Sequence, residues 1–91
     1  MKPQIQEALD ILQEECAEVI QEVSKVRRFG LDTLHYKTGL KHSTMLEMEV
    51  GDMLALIDIL VEQSILDRDG LEVATENKKE KLKQWSGIFK E

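Results

Sequence analysis

Met45–Leu60 reads MLEMEVGDMLALIDIL, and its periodicity decides the fold class. At roughly 100° per residue, Leu46, Val50, Met53, Leu56, Ile57 and Leu60 form one broad apolar arc, which is a helix signature. Glu49 projects from near the centre of that arc, and Asp52 follows one turn later at its edge. A carboxylate at that position is a contradiction, because burying it ionised is costly unless something compensates the charge. Met48, Ala55 and Ile59 fall outside the arc, so the segment is apolar on more than one side and calls for cover from both.

The flanking sequence supplies helices on either side. Ser43 or Thr44 is placed to cap the segment's start, with Glu47 as a capping-box partner, and the helix is expected to reach about Leu66. Upstream, Pro3 opens a first helix. Ile5, Leu9, Leu12, Cys16, Val19, Val23 and Val26 then recur at alternating steps of four and three, a helix-packing seam. Arg27 and Arg28 suit the last turn and Gly30 the stop. Leu31–His42 reads as a connecting loop. Downstream, Asp67-Arg68-Asp69-Gly70 is a turn, and a third helix begins at Asp69 or Gly70. Its stripe is Leu71, Ala74, Lys78, Leu82, Trp85 and Phe89. No strand, repeat or low-complexity stretch interrupts the pattern. The expectation is a single all-α domain over residues 1–91, a helical bundle of three to four helices, with subunits associating as a dimer or tetramer to cover the second helix.

Composition narrows the function classes. The chain has 91 residues, with 18 Asp+Glu against 12 Lys+Arg. That balance argues against a nucleic-acid polymer as partner, since such binding needs a basic footprint. A metal-held small nucleotide is not excluded by it. One cysteine allows no internal disulfide, and Cys16 lies on the apolar seam as a reduced core residue. There is no signal-peptide pattern and no apolar run of membrane-spanning length, so a cytoplasmic protein with no membrane partner is expected.

The carboxylates carry the chemistry. Glu15 and Glu18 are three apart on the first helix and reach one side, and Glu49 and Asp52 repeat the arrangement on the second. Packing the two seams together brings four carboxylates into one pocket. No His accompanies them at ligand spacing, so the donors are oxygen only, which favours Mg²⁺ or Mn²⁺. Glu14, Glu22 and Glu47 read as solvated face. His35 and His42 lie in the loop without a Cys or paired His, which argues against a metal role for them.

Glu14-Glu15-x-x-Glu18 followed by Glu49-Val50-Gly51-Asp52 resembles the EExxE…ExxD signature of the MazG-like, all-α nucleoside triphosphate pyrophosphohydrolases. The likeness extends from Ile11 to about Trp85. Ser24-Lys25…Arg28-Phe29-Gly30 and Lys78…Lys81-Leu82…Trp85-Ser86 are similar to short, phage-type members. The segment and the His that mark the related phosphoribosyl-ATP pyrophosphohydrolases are not found. The resemblance implies hydrolysis of a nucleoside triphosphate to the monophosphate and pyrophosphate with Mg²⁺, on a bundle assembled as dimers or tetramers. It implies metal ligation by Glu15, Glu18, Glu49 and Asp52. Glu14 would support that shell or orient water, and one of Glu14, Glu15 and Glu18 would take the proton of the attacking water.

Cations complete the reading. Lys78 lies within the third helix's stripe and Lys81 at its edge. Each either snorkels or faces negative charge, and an acidic metal site makes phosphate contact the better use. Lys25 pairs with Glu22 or touches phosphate, and Arg28 is a helix-end charge or a phosphate contact. Trp85 reads as a core or interface anchor ahead of a base platform. Two alternatives stay open: a non-catalytic acidic bundle in which Glu49 pairs with Lys78, and the same fold acting on nucleoside diphosphates. Base preference carries no recognisable code; base contacts are expected from the Leu31–His42 loop, the tail or a neighbouring subunit.

Overall fold

The computed structural model describes residues 1–90, and over these the chain is all-helical apart from its connections. Helix α1 spans Pro3–Phe29, α2 His42–Glu62 and α3 Arg68–Trp85. Proline opens α1, and Gly30 ends it at φ 95° with its N–H donating to the Val26 carbonyl at 2.8 Å. That positive φ is available to glycine at little cost, which is why the stop is legible in sequence.

Two boundaries differ from the expectation for reasons outside local propensity. Helix α2 starts at His42, and no side chain caps it. Its first N–H groups are taken by the preceding loop instead: His42 donates to the Thr33 carbonyl and Ser43 to that of Leu31, each at 3.0 Å. The helix ends at Glu62, four residues before Leu66. Ser64 adopts φ 61°, and the N–H groups of Ile65 and Leu66 fold back onto the Leu60 carbonyl. A left-handed serine does locally what a glycine signals in sequence, so the stop gives no warning. Helix α3 begins at Arg68 because Asp67 caps it, its carboxylate accepting from the Gly70 N–H at 2.8 Å.

The chain's extensive packing is α1 against α2, as an antiparallel hairpin. Its buried apolar residues are Ile5, Ala8 and Leu60, the last only 1% exposed. The α1 stripe is rotated from the expected one. Ile5, Leu12, Val19 and Val26 belong to both, but Ala8 and Glu22 are buried while Leu9 is half-buried and Val23 exposed. The face toward α2 is therefore Ile5, Ala8, Leu12, Glu15, Val19, Glu22 and Val26. This corrects the placement of Glu22 on the solvated face. Glu14 and Glu47 are exposed, as expected.

Helix α3 makes little contact with either partner. An Arg68–Asp58 ion pair of 3.2 Å joins its first turn to α2. Leu71 and Leu82 are half-buried, but Val73, Ala74 and Lys78 are exposed and Trp85 is 83% exposed. Phe89 lies beyond the helix end, off the stripe. The Cα extents of 41 × 38 × 14 Å describe a slab one helix layer deep. Cover for α2 by both neighbours of the same chain is thus only half realised: Met48, Leu54, Ala55 and Ile59 face outward.

Candidate metal centre

Antiparallel packing sets Glu15 of α1 opposite Glu49 of α2. Asp52, one turn on from Glu49, joins them, and one carboxylate oxygen from each of Glu15, Glu49 and Asp52 lies within 4.8 Å of the others. The three are graded in exposure, Glu15 and Glu49 half-buried and Asp52 exposed, so the cluster opens from the helix interface to solvent. Glu18 stands near enough for its charge to act on Glu49 but outside this triad. Glu14 points away, exposed.

The electrostatics are unbalanced. Burial raises the Glu49 pKa above its ordinary 4.5, and the negative charges of Asp52, Glu15 and Glu18 raise it further, as does side-chain hydrogen bonding with Glu15. Glu15 Oε2 is buried with no hydrogen-bond partner. Among the described residues no cation pairs with this cluster, and Lys78 makes no ion pair, so a core Glu49–Lys78 pair is not formed. Converging, like-charged oxygens of one donor type, one of them buried without a partner, form a set that a hard divalent cation satisfies.

The expected substrate cations are placed in two groups. Lys78 and Lys81 stand exposed on α3 and are not brought to the carboxylates within one chain. Lys25 pairs with Glu22 at 3.2 Å, and the Arg28 guanidinium lies 4.9 Å from the Phe29 ring centroid. Gly51, between the two acids of α2, has nothing within 4 Å of where a Cβ would sit. No contact inside the chain requires that helix glycine.

A second polar layer escaped the sequence reading. Two turns from the Glu15–Glu49 level, the same register puts Glu22 opposite His42, and both are only 4% exposed. Glu22 Oε2 and His42 Nδ1 are buried without partners. His42 is held by Phe29, whose ring stacks on it at 5.3 Å, and by the edge of His35 at 5.9 Å. The signal in sequence was charge: residues 25–41 hold Lys25, Arg27, Arg28, Lys37 and Lys41 against Asp32 alone, in a chain of net charge −6.

No helix among the described residues is long and apolar enough to cross a membrane. No family model, curated protein or solved structure matches the chain.

Proposed function

We propose that this chain is a Mg²⁺-dependent nucleotide pyrophosphohydrolase of the MazG-like kind, cleaving a nucleoside triphosphate to the monophosphate and pyrophosphate. The observation that carries the reading is the convergence of Glu15, Glu49 and Asp52 within 4.8 Å on a helix interface, with a buried Glu15 oxygen left unpartnered. Repelling carboxylates in such a place are a standing cost to the fold unless a cation offsets them.

Glu15, Glu49 and Asp52 would hold Mg²⁺ or Mn²⁺. When bound, such an ion polarises phosphoryl oxygens and makes a coordinated water acidic. Glu49 of α2 faces Glu15 of α1 across the helix interface, and its carboxyl holds a proton more tightly than usual, so protons compete with a metal there. Glu18, close to the triad but not within it, is the carboxylate free to accept a proton from attacking water. Lys25 and Arg28 lie toward the loop end of the same hairpin, where they neutralise substrate charge. Lys78 and Lys81 reach phosphate only when α3 docks on a hairpin. Assembly as a dimer or tetramer supplies such docking, and it covers the outward apolar residues of α2 and α3.

The test is a screen of the common ribo- and deoxyribonucleoside triphosphates and diphosphates with Mg²⁺, separating pyrophosphate from orthophosphate. Pyrophosphate from a triphosphate, lost with EDTA, is the expected result. Metal-independent turnover, or orthophosphate as first product, counts against it, and release from diphosphates alone favours the diphosphatase alternative.

A further inference from the structure

The end of α1, the α1–α2 loop and the start of α2 enclose a cleft of about 500 Å³. Its walls include Phe29, His35, Tyr36 and His42, with Lys25 and Lys37 among the lining residues. Both histidines and the single tyrosine of the chain are gathered here. The aromatic surfaces are held in place. His35 Nδ1 accepts from the backbone N–H groups of Lys37 and Thr38 at 3.1 and 3.3 Å, while the His35 backbone N–H donates to the Leu40 carbonyl at 2.7 Å and fixes the main chain. The two bonds to Nδ1 orient the imidazole, and Tyr36 stacks on it at 5.1 Å with an interplanar angle of 21°. Tyr36 is nonetheless 85% exposed, with only the flexible Lys37 ammonium over its ring, 5.6 Å from the centroid. On the cleft's floor, His42 keeps a buried ring nitrogen without a partner.

Flat π-faces beside cations suit a planar ring joined to an anionic chain, because stacking takes the ring and the cations attract the charged chain that leaves it. The cleft also lies at a telling distance. His42 is seven residues, about 10 Å along α2, from Glu49. A sugar and a short phosphate chain bridge such a gap. We propose that this cleft is the base subsite: it stacks the nucleobase on the Tyr36–His35 pair while the phosphates extend along the hairpin to Glu15, Glu49 and Asp52. The proposal rests on the nucleotide reading of the carboxylate cluster and names where that substrate's base sits.

Its preorganisation matters physically. The His35 ring is oriented before any ligand arrives, so little side-chain freedom is lost on stacking. The local positive charge also opposes the acidic remainder of the chain, drawing an anion toward this end of the hairpin.

The experiment is an NMR titration in EDTA with AMP, GMP, CMP, UMP and dTMP, and with ribose 5-phosphate as the base-free probe. It is run on the parent, Tyr36→Ala, Tyr36→Phe and Glu49→Gln. At least one nucleotide should shift the amides of residues 33–42, with ribose 5-phosphate failing to do so at equal concentration. Tyr36→Ala should weaken that binding about tenfold or more, while Tyr36→Phe and Glu49→Gln retain it. Tyr36 is exposed, so its removal leaves the helical packing intact, and an unchanged helical circular dichroism signal verifies this. Equal binding of ribose 5-phosphate, shifts confined to other residues, or a Tyr36→Ala variant that binds like the parent overturns the base subsite. Parallel triphosphate turnover separates the two readings. Hydrolysis with KM unchanged by Tyr36→Ala removes the subsite and leaves the hydrolase. Base-dependent binding at 33–42 with no hydrolysis of any triphosphate keeps the subsite and removes the hydrolase.

Discussion

The α1–α2 hairpin closes on itself, whereas α3 carries a stripe of similar period with little packed against it. In the hairpin, Ile5, Ala8 and Leu60 are buried and two polar layers sit between the helices. On α3, Asp67 supplies a good cap and the pairs Lys79–Glu76 and Lys83–Glu80 support the surface, yet no residue is buried. The difference teaches that helix formation and helix packing are separate achievements. Caps and i,i+3 pairs make a helix, at a few tenths to about 1 kcal/mol each. Only apolar area removed from water anchors it.

The largest effect should come from the hairpin's centre. Glu49→Gln keeps the shape and removes one charge and one metal donor. Turnover should fall on the order of a hundredfold or more, since even outer-shell changes at metal sites cost 10–100-fold. Metal-free thermal stability should stay equal or rise, and the stabilisation gained on adding Mg²⁺ should shrink. A large drop in the metal-free melting temperature would mean that Glu49 serves a structural pairing.

Next comes a matched pair across the two regions. Leu60→Ala should cost about 2–5 kcal/mol in urea unfolding, because a buried leucine leaves a cavity. Val73→Ala, on the open face of α3, should stay within about 0.5 kcal/mol while the chain is monomeric. If the Val73 effect grows with protein concentration, a second copy covers α3. A light-scattering mass of 10.5 kDa at every concentration would break that explanation, as it is the mass of a single chain.

A smaller effect is a pH dependence of the metal-free protein. The folded Glu49 holds its proton more tightly than the unfolded one. The native state therefore binds more protons between 4.5 and the raised value, and stability falls as pH rises through that window. Melting temperatures recorded upward from pH 4.5 should show this fall in the parent and lose it in Glu49→Gln. The smallest effect belongs to the tie between the regions: Arg68→Ala should change stability by less than about 1 kcal/mol, as exposed ion pairs do. A greater loss would show that the Arg68–Asp58 contact sets the position of α3.

Much of this was legible in residues alone. Pro3, Gly30 and the 3.6-residue period located α1, and the run Leu46–Leu60 located α2 with Glu49 on its inner face. The pairing of Glu49 with Asp52 across one turn, and their meeting with Glu15, followed from spacing and from the expectation that the two seams face each other. The loop cleft was not legible, because His35, Tyr36 and His42 are scattered in a segment without periodicity. Only backbone bonds such as His42 to Thr33 fold them together.

What the sequence by itself determined was the set of helices, the apolar arcs and the acidic residues that share a helix side. Each depends on neighbours within a turn or two, where the period of the helix alone sets direction. What the tertiary structure decided was which arc of α1 meets α2. The stripes through Ala8, Glu15 and Glu22 and through Leu9, Cys16 and Val23 share Ile5, Leu12, Val19 and Val26; they differ by one residue at the other three positions, so the stripe as a whole turns by roughly 40°. Local periodicity cannot choose between faces that are both apolar enough to pack. The partner helix chooses, and in doing so it buries Glu22 and His42, gathers Glu15 with Glu49 and Asp52, and leaves α3 aside with its stripe in the open.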